Sequence, residues 1–105
     1  MLGWLFRRLQ QPDEVGRSGK WPRVRAEHLA KEPACIACGR TAGLEVHHVQ
    51  LYHDHPELEL DPGNLVTLCA DPCHIVHGHY MAWDRINPTV REDAARYRAG
   101  LQRAR

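Results

Sequence analysis

At 105 residues, 43% hydrophobic and with a single Phe, the chain has room for one domain with a modest core, and its four cysteines are its only ready staple. The net charge of +1 hides a segregation: +4 over residues 1–31, −7 over 32–84 and +4 over 85–105, with seven of the eight histidines between 47 and 79. No run is long enough to cross a membrane, and Met1–Gln10 does not read as a signal peptide, since the arginines follow the short apolar stretch instead of preceding it.

The expectation is a soluble cytoplasmic protein, where paired cysteines bind metal more often than they form disulfides. Basic flanks around a histidine-rich acidic centre suit an enzyme that grips a polyanion at its edges, although solvated helix faces would give the same pattern.

In chain order, Met1–Leu9 can form a short helix with Leu2, Leu5, Phe6 and Leu9 on one face. Residues 10–20 read as a loop. Pro22 suits the first turn of a helix to about Lys31, with Val24, His28 and Leu29 on a shared face, ended by Pro33. Cys35-Ile-Ala-Cys38-Gly39 is a knuckle. Leu44–His47 is a short β-like run, residues 52–63 are a long polar loop, and Leu65–Leu68 is a second β-like run leading to Cys69 and Cys73. A helix is predicted from about His74 to Trp83, despite Gly78. After the break at Asn87-Pro88, Thr89 and Glu92 read as a capping box opening a last helix striped with Val90, Ala94, Tyr97 and Leu101. The arginines of that helix (91, 96, 98, 103 and 105) are candidate phosphate contacts, while its apolar stripe could serve a homodimer.

The pairs Cys35-x2-Cys38 and Cys69-x3-Cys73 can surround one tetrahedral Zn²⁺, and with all four positions taken by cysteine the site is structural. Thirty residues separate the pairs, more than the ~15–20 of a plain four-cysteine site. The insert contains His47, His48 and Asn64, so the staple brackets a second site.

LEVHHVQ, GNLVTLC and PCHIVHG together resemble the HNH endonuclease family over roughly residues 33–88. The resemblance implies an α+β fold: a small ββα-metal core on a four-cysteine zinc site, flanked by N-terminal (1–32) and C-terminal (89–105) helices within one domain, 1–105. It implies metal-dependent hydrolysis of DNA phosphodiester bonds by a chain of bacterial or phage type. By similarity, His47 and His74 are metal ligands, His48 is the general base and Asn64 orients the loop that holds it. His77 or His79 would be a further ligand; helical geometry favours His77, three residues after His74, over His79, about 140° round. The recurrence of Cys-His-x-x-x-Gly-His, Trp83 and Asn87-Pro88 in the family favours His79. Mg²⁺ or Mn²⁺ is the expected catalytic ion, with imidazole ligands tilting the choice toward Mn²⁺, Ni²⁺ or Zn²⁺. The alternative is a zinc-stabilised DNA-binding module with little or no catalysis. The second knuckle is one residue longer than the family's usual Cys-x2-Cys, an insertion that the loop must absorb for the site to close.

Overall fold

The computed structural model describes residues 18–51 and 53–104. The helix expected at Met1–Leu9 lies outside them, as do Arg7, Arg8, Arg17 and Arg105. Helix α1 (Trp21–Lys31) starts with Pro22 in its first turn, where a missing N–H costs nothing, and stops just before Pro33. Strands β1 (Leu44–His48) and β2 (Leu65–Cys69) form a two-stranded antiparallel sheet, each one residue longer than the sequence suggests. Two tight 3-10 turns, Pro56–Leu58 and Pro62–Asn64, order the long polar connection between them. Helix α2 (Val90–Arg103) closes the chain.

The register pairs Val46 with Thr67, His47 with Val66 and His48 with Leu65. Because side chains alternate along a strand, Val46, His48 and Leu65 share one face of the sheet, and Glu45, His47, Val66 and Leu68 share the other. The first face packs on α1: Trp21, Val46 and Leu65 are buried together, with Val24, Leu29 and Leu60 at their edge. On the other side of the molecule Val66, Leu68, Cys69 and Cys73 form a core with Val90 and Ala94 of α2. All five β2 residues are buried, as expected of a strand covered on both faces. Among the described residues, no helix is long and apolar enough to cross a membrane.

Two expectations fail locally. The helix predicted over His74–Trp83 is a single π-helical turn, His74–Gly78, followed by left-handed backbone at Tyr80 and Met81, φ 50° and 71°. The capping box at Thr89–Glu92 does not form. Thr89 precedes α2, but its hydroxyl sits 3.0 Å from Asn87 Oδ1 and 3.1 Å from Asp93 Oδ2 instead of capping the helix. The local motif is overridden because a buried Asn87 needs those partners.

Three of the four described α2 arginines are engaged within the chain. Arg91 spans 59 residues to Glu32, donating 2.9 and 3.3 Å bonds to its carboxylate and a 3.0 Å bond to Leu65 O. Arg96 pairs with Asp93. The Arg98 guanidinium lies against Gly39, whose φ of 83° favours glycine.

Glu32 ties α1, β2 and α2 together. Besides Arg91, its carboxylate faces His28 Nε2 at 3.1 Å and accepts the Thr67 N–H at 2.8 Å, while its carbonyl accepts the Thr67 hydroxyl at 2.8 Å. Burial disfavours its charge, but the bonds from His28, Arg91 and Thr67 and the Arg91 charge outweigh that and hold the carboxyl at about 2, against 4.5 ordinarily. A depressed carboxyl stabilises the fold above its unfolded pKa and loses that contribution as pH falls through its folded value. Glu32→Gln should therefore lower unfolding free energy by about 1–3 kcal/mol at neutral pH. In denaturation titrations, its deficit relative to wild type should shrink as pH falls from 4.5 toward 2.

Candidate metal centres and active site

The knuckle delivers Cys35 and Cys38, the end of β2 delivers Cys69, and the turn entering the π-helical segment delivers Cys73. Their sulfurs lie within 4.8 Å of one another, and all four are free thiols. Burial alone would raise Cys35, but the N–H groups of Cys38, Cys69 and Ala37 aimed at its sulfur bring it down to about 7. Burial and the neighbouring sulfurs push Cys73 up. Only a dication lets four crowded sulfurs ionise together, and four thiolates in tetrahedral reach suit Zn²⁺. The additional residue of the second knuckle is absorbed in the exposed turn 70–72, outside the cluster.

A second cluster lies on the β1 face opposite α1. His47, His74 and His79 are fully buried, and a nitrogen of each lies within 4.8 Å of the others. His47 Nδ1 faces His74 Nε2 at 2.9 Å. His79 Nδ1 donates to Arg85 O at 2.7 Å, which leaves the lone pair on Nε2. His47 Nε2 and His79 Nε2 are buried with no hydrogen-bond partner among the described residues. Burial, reinforced by the neighbouring imidazoles, holds His47 well below its usual pKa; burial likewise brings His79 to about 4. Neutral rings, orphaned nitrogens and lone pairs turned inward fit a divalent cation.

His79 joins this cluster and His77 does not. His77 packs on Tyr97 of α2, ring centroids 4.8 Å apart. The angular argument for His77 assumed an α-helix, whereas in a π-turn residues five apart come nearly into line. Gly78, which read as a helix defect, makes room for the site: a Cβ there would lie 3.0 Å from His47 Cε1 and Nε2.

His48, the last residue of β1, sits on the other face, its ring 4.7 Å from Trp21. Its Nε2 donates to Glu59 O at 2.8 Å, fixing the neutral tautomer whose Nδ1 carries the lone pair. Asn64 fixes the loop behind it. Its Oδ1 accepts from Gln50 N at 2.9 Å, and its Nδ2 donates to Gln50 O at 2.9 Å and Leu58 O at 3.1 Å.

Residues 35–79 match the family model described as HNH endonuclease. Over that segment the chain is similar to HNH endonucleases. No curated protein and no solved structure matches it significantly.

Two residues that sequence reasoning passed over border the histidine cluster. Glu45 Oε2 lies 3.6 Å from His74 Nδ1, on the ring edge away from His47. A carboxylate there orients an imidazole ligand and raises its basicity. The signal was present, since positions 45 and 47 share a strand face. Trp83, noted only as recurrent, packs its ring 5.2 Å from His74 and 4.8 Å from His79, walling the cluster.

Two outcomes follow. Gly78→Ala should push the His47 ring out of place and weaken divalent-ion binding at the histidine cluster by about tenfold, read by calorimetry, while the cysteine site keeps its zinc. In protein with the histidine cluster metal-free, thermal stability should fall as pH drops from 6.5 toward 4. Across that window the unfolded chain protonates histidines that the folded protein keeps neutral, so acidification favours unfolding.

Proposed function

We propose that the chain is a metal-dependent endonuclease that hydrolyses DNA phosphodiester bonds, with His48 as general base and His47, His74 and His79 holding the catalytic ion. The observation that carries this reading is the convergence of three buried imidazoles from two segments at the end of the strand that also bears His48. The HNH match covers all four of these residues. Residues 33–88 would form the catalytic core, with 1–32 and α2 as flanks of one domain; Arg91 and Asn87 are what tie α2 to that core.

His48 would take a proton at Nδ1 from the attacking water while Glu59 O holds the other edge of the ring. Asn64 keeps Gln50 and Leu58 in place behind it. Glu45 and Arg85 O would keep the ligand nitrogens of His74 and His79 turned inward. When bound, a divalent cation would supply positive charge to the phosphate and the leaving oxygen. Three imidazoles favour Mn²⁺ or Ni²⁺ over Mg²⁺ in such a site.

Supercoiled plasmid should be nicked with Mn²⁺ or Ni²⁺. His48→Ala should slow nicking by roughly 10²–10⁴-fold while keeping the zinc and the thermal transition. One feature favours a zinc-stabilised DNA-binding module with weak or no catalysis: His48 lies on the strand face opposite the histidine cluster. Under that reading DNA is retarded in gels but is not cut with any ion, and His48→Ala matches wild type.

A further inference from the structure

Asn87 lies outside the matched segment 35–79 and is 1% exposed. Both protons of its side-chain amide are used: Nδ2 donates to His77 O at 2.8 Å and to Asp93 Oδ2 at 3.0 Å. Its Oδ1 accepts from the Tyr80 hydroxyl at 2.6 Å and from Thr89 N at 3.0 Å. Its backbone N–H donates to Gly78 O at 2.9 Å. A buried amide with every donor and acceptor engaged is costly to disturb.

These bonds fall around one residue. His77 O and Gly78 O belong to the two positions before His79, and the Tyr80 hydroxyl to the position after it. His79 itself is tied by its ring, which donates to Arg85 O two residues before Asn87, and by its carbonyl, which accepts from Ala82 N at 3.0 Å. The chain at Tyr80 and Met81 is held in the left-handed region, a strained conformation for a bulky residue that persists only where neighbours enforce it. Tyr80 OH on Asn87 and Met81 N–H on Ile75 O, at 2.8 Å, are the enforcing contacts. Without them the segment after Gly78 could relax, and His79 Nε2 would swing away from His47 and His74.

We propose that Asn87 is a positioning residue for the metal centre: it holds the backbone before His79 and the Tyr80 side chain after it, and so keeps that imidazole in place as the third ligand. Asp93 and α2 anchor the clamp, which makes the C-terminal helix part of the metal site without touching it. The inference rests on the reading of His47, His74 and His79 as ligands.

The test uses the full chain with zinc in the cysteine site and Ni²⁺ as the probe. In calorimetric titration Asn87→Ala should bind Ni²⁺ at least tenfold more weakly than wild type while retaining one zinc per chain. Tyr80→Phe, which removes a single bond and no packing, should weaken binding in the same direction by a smaller factor. In plasmid nicking, Asn87→Ala should need more Mn²⁺ for half-maximal rate but approach the wild-type rate at saturating Mn²⁺. A purely structural residue would instead depress the rate at every concentration. Wild-type Ni²⁺ affinity in both variants overturns the clamp, as does a lowered rate that no Mn²⁺ concentration restores. Should wild type itself bind no Ni²⁺, or His79→Ala bind it as wild type does, the ligand set is wrong and the clamp falls with it.

Discussion

The register of β1 against β2 is the constraint on which the rest of the molecule depends. His47 and His48 are adjacent, so a strand must send them to opposite faces, and one residue of slip would exchange their places. The sheet has only two strands and cannot hold its register alone. Its register is held from outside. Thr67 is gripped by Glu32 at both its N–H and its hydroxyl, and Thr67 O accepts from Ile36 N at 3.0 Å. Cys69 is drawn into the thiol cluster with Cys35 and Cys38. The cysteine cluster and the Glu32 knot therefore fix which histidine faces which side of the sheet.

The segment after β2 solves a different problem. Cys73 must reach one cluster and the next residue, His74, another, while His79 returns to meet His74. An α-helix would carry His79 away from that line; a single π-turn brings it back. The turn is confined to five residues, Gly78 is bare so that His47 can approach, and left-handed backbone at Tyr80 and Met81 ends it at once. Such departures from regular backbone concentrate where a site has to be built.

The charge distribution takes on a more specific meaning. The basic C-terminal segment looks like a surface for polyanions, yet Arg91, Arg96 and Arg98 are occupied by Glu32, Asp93 and the back of Gly39. Arg91 and Arg98 hold α2 against the core and the knuckle. On α1, Arg23 likewise pairs with Glu27, and Arg25 donates to Leu44 O at 3.4 Å.

The sequence by itself determined the parts whose chemistry is local. Cysteine pairs at knuckle spacing define a closed tetrahedral site, Pro22 and Pro33 bound a helix, and two short β-like runs flank a polar loop. The HHV, GNLV and CHIVHG segments identified the HNH core because their residue types and spacing are jointly specific. Tertiary structure decided what depends on residues meeting across the chain. Of the two candidates it is His79, not His77, that meets His47 and His74, because backbone winding, which periodicity takes as α-helical, sets the angle between positions 74 and 79. Glu45 acquires a partner only once His74 is folded over its strand. The capping box at Thr89 yields to Asn87 because a buried amide outweighs a local motif at a helix end. Spacing fixes which residues can be ligands; which of them become so is set by the backbone path and by the buried groups that hold it.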